Sequence, residues 1–202
     1  MAFANSPDSV PRLTSAKLVV AGGFGVGKTT MVGAVSEIPP VNTEAWMTQA
    51  SESVDRLGTG SEKTKTTVAM DFGRITLSPD LILYLFGTPG QPRFWPMWDD
   101  LCRGASGAVV LVDTQELDKS FPAINYFEND SDVPFIVAAN LFNGRQLHRL
   151  EDVRYALRLS SDIPLITCDA RDRVSVVQTL ITALTHTMRR AASRGSGALA
   201  TP

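Results

Sequence analysis

The sequence predicts an α/β fold: a mostly parallel six-stranded sheet with one antiparallel edge strand and helices on both faces. Three observations carry that expectation. Short β-rich runs alternate with helical patterns, as a parallel sheet with crossover helices requires. Several of those runs are apolar throughout, the pattern of strands buried on both faces. The first run, 16–21, ends directly in a glycine-rich turn that opens into a helix continuing through Thr30-Met31-Val32-Gly33-Ala34-Val35. Next, 67–77 and 81–86 flank Ser78-Pro79-Asp80, a turn, and read as a hairpin that supplies the antiparallel edge. The runs 108–113, 135–140 and 165–168 are the remaining strands. Helices are expected over 151–159 and 174–190, the second carrying Val174, Val177, Leu180, Ile181, Leu184 and Met188 at a spacing near 3.6. The ends, 1–14 and 193–202, are rich in Ala, Ser, Gly and Pro and are expected to be disordered, which leaves 15–192 as a single domain.

Composition sets the class. With 202 residues, 44% hydrophobic and 20% charged, the chain has the make-up of an ordinary globular domain able to bury a sizeable core. A net charge of -2 without a long basic block argues against a nucleic-acid or anionic-membrane surface, the small cluster Arg189, Arg190 and Arg194 aside. Cys102 and Cys168 lie far apart without metal-ligand spacing, and read as reduced core residues of a cytoplasmic protein. No run approaches a membrane span, and neither a signal peptide, a myristoylation glycine nor a prenylation box is evident.

The turn after the first strand carries the chemistry. Gly22-Gly23-Phe24-Gly25-Val26-Gly27-Lys28-Thr29 fits the phosphate-binding pattern G-x-x-x-x-G-K-[ST]. A strand that ends in such a loop and opens into a helix turns backbone N–H groups, and the positive end of the helix, toward a nucleotide's phosphates. Lys28 would reach the β/γ-phosphates, and Thr29 would give its hydroxyl to a Mg2+ that keeps several waters. The connection 37–66, with Pro39-Pro40 and few apolar residues, is too long for a plain crossover. At the carboxyl edge of the sheet it has the place of a loop with two states, one ordered by a γ-phosphate.

Three further motifs follow in order at strand ends: Phe86-Gly87-Thr88-Pro89-Gly90-Gln91, Asn140-Leu141-Phe142-Asn143 and Asp169-Ala170-Arg171. With the first loop, they make the chain resemble P-loop NTPases of the small Ras-like GTPase superfamily, whose corresponding stretches are D-x-x-G-Q, N-K-x-D and S-A-K. Within it the chain is most similar to actinobacterial conservon-type GTPases and more distantly to Mgl-type bacterial polarity GTPases, over roughly 17–190. The resemblance implies a Ras-like G domain, with switch I over 37–67 and switch II over 87–103. It implies GTP/GDP and Mg2+ as ligands, and slow hydrolysis of GTP to GDP and phosphate.

It also assigns residues. The nucleotide would be held by Gly22, Gly23, Phe24, Gly25, Val26, Gly27, Lys28, Thr29, Thr30, Thr67, Gly90, Asn140, Asn143, Asp169, Ala170 and Arg171. Thr29 and Thr67 would bind the metal, with Thr66 the runner-up to Thr67. Gln91 would orient the attacking water, aided by Lys28 and the Gly90 N–H. Asn140 would tie the P-loop to the base loop, and the Ala170 N–H would meet the base O6. The implied partners are a roadblock-type regulatory protein and a sensor-kinase-like membrane protein, through which a cytoplasmic chain would be recruited to the membrane.

The departures from the pattern qualify this. Gly87 stands where the metal-supporting Asp is usual; Asp71, near the same sheet edge, either supplies an outer-sphere contact or is a solvated strand residue. Phe24 either crowds the γ-phosphate or points away, and Pro92 stiffens the loop after Gln91. Asn143 replaces the Asp that accepts from guanine N1–H and its amine, and Leu141 replaces the Lys that packs along the base. An amide accepts on one side and donates on the other, so Asn143 lowers guanine affinity and admits xanthine. His148 and His186 are isolated. Trp95 and Trp98, with Phe94, Pro96 and Met97, form an apolar patch that is either ordinary core or, on a switch helix, an exposed partner anchor, the latter being expected. Three function classes remain: a GTP-hydrolysing switch, a nucleotide-binding scaffold that barely hydrolyses, and a P-loop small-molecule kinase, which the lack of an arginine-rich lid segment disfavours.

Overall fold

A computed structural model of the chain describes residues 13–39 and 70–197. Strands β1 (Thr14–Ala21), β2 (Asp71–Ser78), β3 (Leu81–Gly87), β4 (Gly107–Val112), β5 (Phe135–Asn140) and β6 (Leu165–Cys168) form one sheet in the order β2-β3-β1-β4-β5-β6. Only β2 runs antiparallel, against β3 at the edge. The fold is the one expected, mixed α/β with a single antiparallel strand.

Alternation within the apolar strands explains the layers. Leu18 and Val20 of β1 face α1 (Lys28–Val35) and α5 (Arg173–Gly197), in a core with Met31, Val35, Val176 and Leu180. Val19 and Ala21 face the opposite side, where α2 (Trp98–Cys102), α3 (Phe121–Asn125) and α4 (Leu150–Leu157) contribute Trp98, Ile124 and Val153. All four β1 residues are 0% exposed, so each face is sealed, and a fully buried Leu or Val there contributes roughly 1.5–3 kcal/mol.

Some boundaries differ from expectation. The N-terminal segment expected to be disordered ends earlier, because Thr14 already pairs with Leu81 in the β1–β3 ladder. At the other end α5 continues to Gly197, past the expected limit at 192. Ala191 and Ala192, good helix formers, extend it. The expected helix 151–159 is α4, which begins at Leu150 and stops when Arg158 turns left-handed at φ 53. The expected strand from 67 is described only from Met70, and β2 starts at Asp71. Most of the expected switch I, with Thr66 and Thr67, lies outside the described residues. Its first residue, Glu37, is fastened to the edge strand: its carboxylate accepts from Thr76 N (2.8 Å) and Thr76 Oγ1 (2.9 Å).

Candidate functional site

Four of the parallel strands deliver the site at their carboxyl ends, where α/β sheets bind ligands. The loop after β1 reaches α1 through Gly27 at φ 104; a Cβ there would lie 2.8 Å from Asn140 Nδ2, so this position needs glycine on both counts. No side chain caps α1, which leaves its first N–H groups for an anion. Lys28, 8% exposed, turns its ammonium back to donate to Gly22 O (2.9 Å) and Gly23 O (2.7 Å). Burial lowers its pKa to about 8, although the carboxylate of Asp71 opposes the shift.

Asp71 is part of this site. Thr29 Oγ1 donates to Asp71 Oδ2 at 2.9 Å, and Asp71 is the cross-strand partner of Gly87. A Cβ on Gly87 would lie 2.8 Å from both Cβ and Oδ2 of Asp71. The two positions are therefore complementary: the missing side chain on β3 leaves the space that the β2 carboxylate occupies. The Asp71 carboxylate thus stands beside Thr29, a position from which an outer-sphere contact could be made.

Lys28, Thr29, Thr30, Asp71, Thr88, Gly90 and Gln91 line one cavity of about 490 Å³, together with Phe24, Gly25 and Gly27. Gly90 closes on the P-loop so tightly that a Cβ would come within 2.7 Å of Phe24 N and 2.8 Å of Lys28 Nζ. Phe24 is 69% exposed, so its bulk is mostly in solvent at the mouth. Arg93 also lines this cavity, its guanidinium 4.7 Å from the Phe94 ring centroid. Sequence reasoning missed Arg93; its spacing of two from Gln91 was the available signal.

Among the described residues no group of three or more His, Cys, Asp or Glu side chains is placed to hold a metal. One hydroxyl and one carboxylate suit instead a cation that retains most of its waters, as Mg2+ does. His148 and His186 lie away from the cavity. Both cysteines are buried, and burial pushes their thiols up.

Thr88 carries an anomaly. It is 2% exposed, and its Oγ1 has no hydrogen-bond partner among the described residues. A stranded hydroxyl costs about 1–3 kcal/mol. Thr88→Val, which keeps the shape, is therefore expected to stabilise the nucleotide-free protein by about 1 kcal/mol in urea unfolding. A less stable variant would mean that the hydroxyl is already satisfied.

The residues expected to meet the base form a separate cluster after β5 and β6. Asn140 Nδ2 donates to Val26 O (2.9 Å) and Asn140 Oδ1 accepts from Ala170 N (3.1 Å), so Asn140, at the end of β5, ties the P-loop to the loop after β6. The Ala170 N–H, expected to be held for the base, is thus already paired, and a base oxygen would share it. Asn143 sits at φ 59, and its Oδ1 accepts from Arg171 Nη1 at 3.2 Å. Arg171 also grips Asp169, with Nε to Oδ1 and Nη2 to Oδ2 both at 3.1 Å, which holds the Asp169 carboxyl below its usual range. Asp169 and Arg171 thus spend their charges on each other and shape the loop.

The aromatic patch divides. Trp95 is 39% exposed, but Trp98 is 2% exposed and packs edge-on to Tyr126, so it belongs to the core and not to an exposed anchor. The Pro92–Met97 turn is 3₁₀, and the two indoles, 6.3 Å apart, differ in depth: Trp95 lies at the surface and Trp98, the first residue of α2, beneath it.

A family model described as "conserved hypothetical ATP binding protein" matches residues 20–190. The uncharacterized protein MJ1339 of Methanocaldococcus jannaschii is 32% identical over 100 residues, 50% of this chain and 52% of that protein, so the match spans about half of that relative's length. ADP-ribosylation factor-like protein 4A of Mus musculus and of Rattus norvegicus is 26% identical over 165 residues, 77% of this chain and 74% of each relative. Among solved structures, the G domain of the T. maritima FeoB iron transporter superposes with a TM-score of 0.56 over 83% of this chain and 99% of its own, at 15% identity, a likeness of fold.

Proposed function

Because the chain belongs to the family of conserved hypothetical ATP-binding proteins, a P-loop nucleotide-binding family, and has a G-domain fold, we propose that it is a GTP-binding switch with slow GTP hydrolysis. The observation that carries this reading is the convergence of Lys28, Thr29, Asp71, Gly90 and Gln91 on one cavity. A P-loop alone would serve many reactions. Gly90 and Gln91 on a loop that touches Lys28 give a γ-phosphate something to displace and a water something to bond.

In this reading the α1 N-terminus and the Lys28 ammonium bind the β/γ-phosphates, and Gly90 offers its N–H to the γ-phosphate. Gln91 orients the attacking water. Thr29 and, through water, Asp71 would hold Mg2+, which when bound would neutralise charge on the phosphates. Catalysis by such a site is positioning and charge stabilisation. Arg93, carried by the chain itself, is placed to add positive charge at the cavity wall.

Guanine is favoured over adenine because the Ala170 N–H would meet a base oxygen but would oppose adenine's amine, donor against donor. Arg171 takes one of the two lone pairs of the Asn143 carbonyl, and the amide's NH2 can only donate, which suits xanthine's second oxygen and opposes guanine's amine. Asn143→Asp supplies one oxygen for Arg171 and another for the base. It is expected to tighten GTP binding by about one to two decades in calorimetry. Unchanged GTP affinity would contradict this account of the loop.

Single-turnover hydrolysis tests the enzymatic step. The wild type should release phosphate slowly, and Gln91→Leu should be slower by about 10²-fold, because the water loses its orienting group. No release from either protein, with or without a roadblock-type partner, would favour the scaffold reading. Roadblock-type and sensor-kinase-like proteins remain the partners that this reading proposes.

A further inference from the structure

A second cavity, about 480 Å³, lies between the segment that follows Gln91 and α3. Its walls include the rings of Trp95, Trp98, Phe121 and Tyr126, and the carboxylates of Asp118 and Asp130. The aromatic part is built into the core: Trp98 and Tyr126 meet edge-on with centroids 5.2 Å apart, and Trp95 lies 6.3 Å from Trp98. Tyr126 is held by its hydroxyl, which donates to Asp99 at 2.8 Å.

The rim is acidic. The stretch 116–132 carries Glu116, Asp118, Glu128, Asp130 and Asp132 against a single Lys119. Lys119 is taken by Glu116 at 2.6 Å, and neither Asp118 nor Asp130 is in an ion pair among the described residues. Both carboxylates are exposed, so the groove joins aromatic faces to negative charge that the chain does not neutralise.

We propose that this groove docks a protein segment that presents an arginine beside an apolar side chain. A planar guanidinium stacks on Trp95 while its edge donates to a carboxylate, a pairing that neither an acidic segment nor an anionic membrane can make. The neighbouring apolar side chain fills the space over Phe121. Arginine is favoured over lysine because its flat fork matches both the ring face and the carboxylate.

The groove is wired to the nucleotide cavity. Trp98 Nε1 donates to Pro89 O at 3.3 Å, and Pro89 adjoins Gly90, which rests on Phe24 and Lys28. A γ-phosphate that displaces Gly90 draws on the same peptide that holds the indole. The coupling rests on the nucleotide-switch reading; the docking does not.

Random peptides displayed on phage, selected on the full chain and counter-selected on Asp118→Lys/Asp130→Lys, test the docking. Enrichment of peptides with arginine next to an apolar residue is expected. A synthetic peptide of that kind should bind about tenfold or more weakly to Trp95→Ala and to Asp118→Asn/Asp130→Asn, variants altered only at exposed side chains. Peptides without basic residues, equal binding to the variants, or no enrichment would overturn the proposal. So would a dimer that Trp95→Ala dissociates, which would make a second copy the occupant. Equal peptide affinity with GTP-loaded and GDP-loaded protein would overturn the coupling alone. Failure of wild type to bind any nucleotide would sink the switch reading and leave the peptide result standing.

Discussion

Replacing Lys28 with methionine is expected to abolish tight triphosphate binding and, at the same time, to make the nucleotide-free protein more stable. Both effects come from one buried ammonium. Lys28 is 8% exposed and, among the described residues, its ammonium donates to the carbonyls of Gly22 and Gly23, weak compensation for a lost hydration shell. Its pKa falls from 10.5 to about 8, with burial the larger cause and Asp71 opposing it. A depression of that size corresponds to on the order of 3 kcal/mol against the charged form.

The sign follows from proton counting. An unfolded Lys28 holds its proton up to about 10.5 and the folded one up to about 8. Between these values the unfolded state binds more protons, so stability rises with pH across that window. Below pH 8 the folded protein carries the full cost. Lys28→Met removes the charge, so urea unfolding should show roughly 1–3 kcal/mol of added stability at pH 7 and a flatter profile from pH 8 to 10. Triphosphate affinity should fall by about 10²-fold or more, since charge-assisted bonds contribute about 1.5–3 kcal/mol each. A variant that loses stability at pH 7 would mean that the bonds to Gly22 and Gly23 outweigh burial.

The second large effect is expected at Asp71. Asp71→Asn should raise the Mg2+ concentration needed for hydrolysis by about ten- to a hundredfold, the weight of one carboxylate acting through water in a partly solvated site. The reason is the exchange of side chains across β2 and β3: Gly87 has none, and Asp71 fills its place within reach of Thr29. The pair can therefore be swapped. Asp71→Gly combined with Gly87→Asp should recover part of the metal affinity, because each change makes room for the other. An unchanged Mg2+ requirement in Asp71→Asn would return Asp71 to the role of a solvated strand residue.

Much of the architecture was legible in the sequence because the strands are apolar throughout and the P-loop pattern marks the first strand's end. Strand order beyond that and the Asp71–Gly87 exchange were not. The exchange depends on antiparallel register, which sets Asp71 opposite Gly87 although sixteen positions separate them in the chain. Trp98 was misjudged because a 3₁₀ turn with Pro92 and Pro96 breaks the period that would have shown which indole faces inward. At the base end, motif positions named Asp169 and Arg171 as ligand contacts. Their own ion pair, at 3.1 Å, depends on a two-residue loop geometry that no periodicity reports. The composition of 193–202 hid the continuation of α5, since Ser and Gly next to alanines read as tail rather than helix.

The most direct test is competition calorimetry of GTP, XTP and ATP on the wild-type protein in Mg2+. GTP and XTP are predicted to bind, with ATP weaker by about tenfold or more, because in the proposed reading the Ala170 N–H, shared with Asn140 Oδ1, would favour a base oxygen over adenine's amine. ATP binding as tightly as GTP, or no triphosphate binding at all, would contradict the guanine-nucleotide switch.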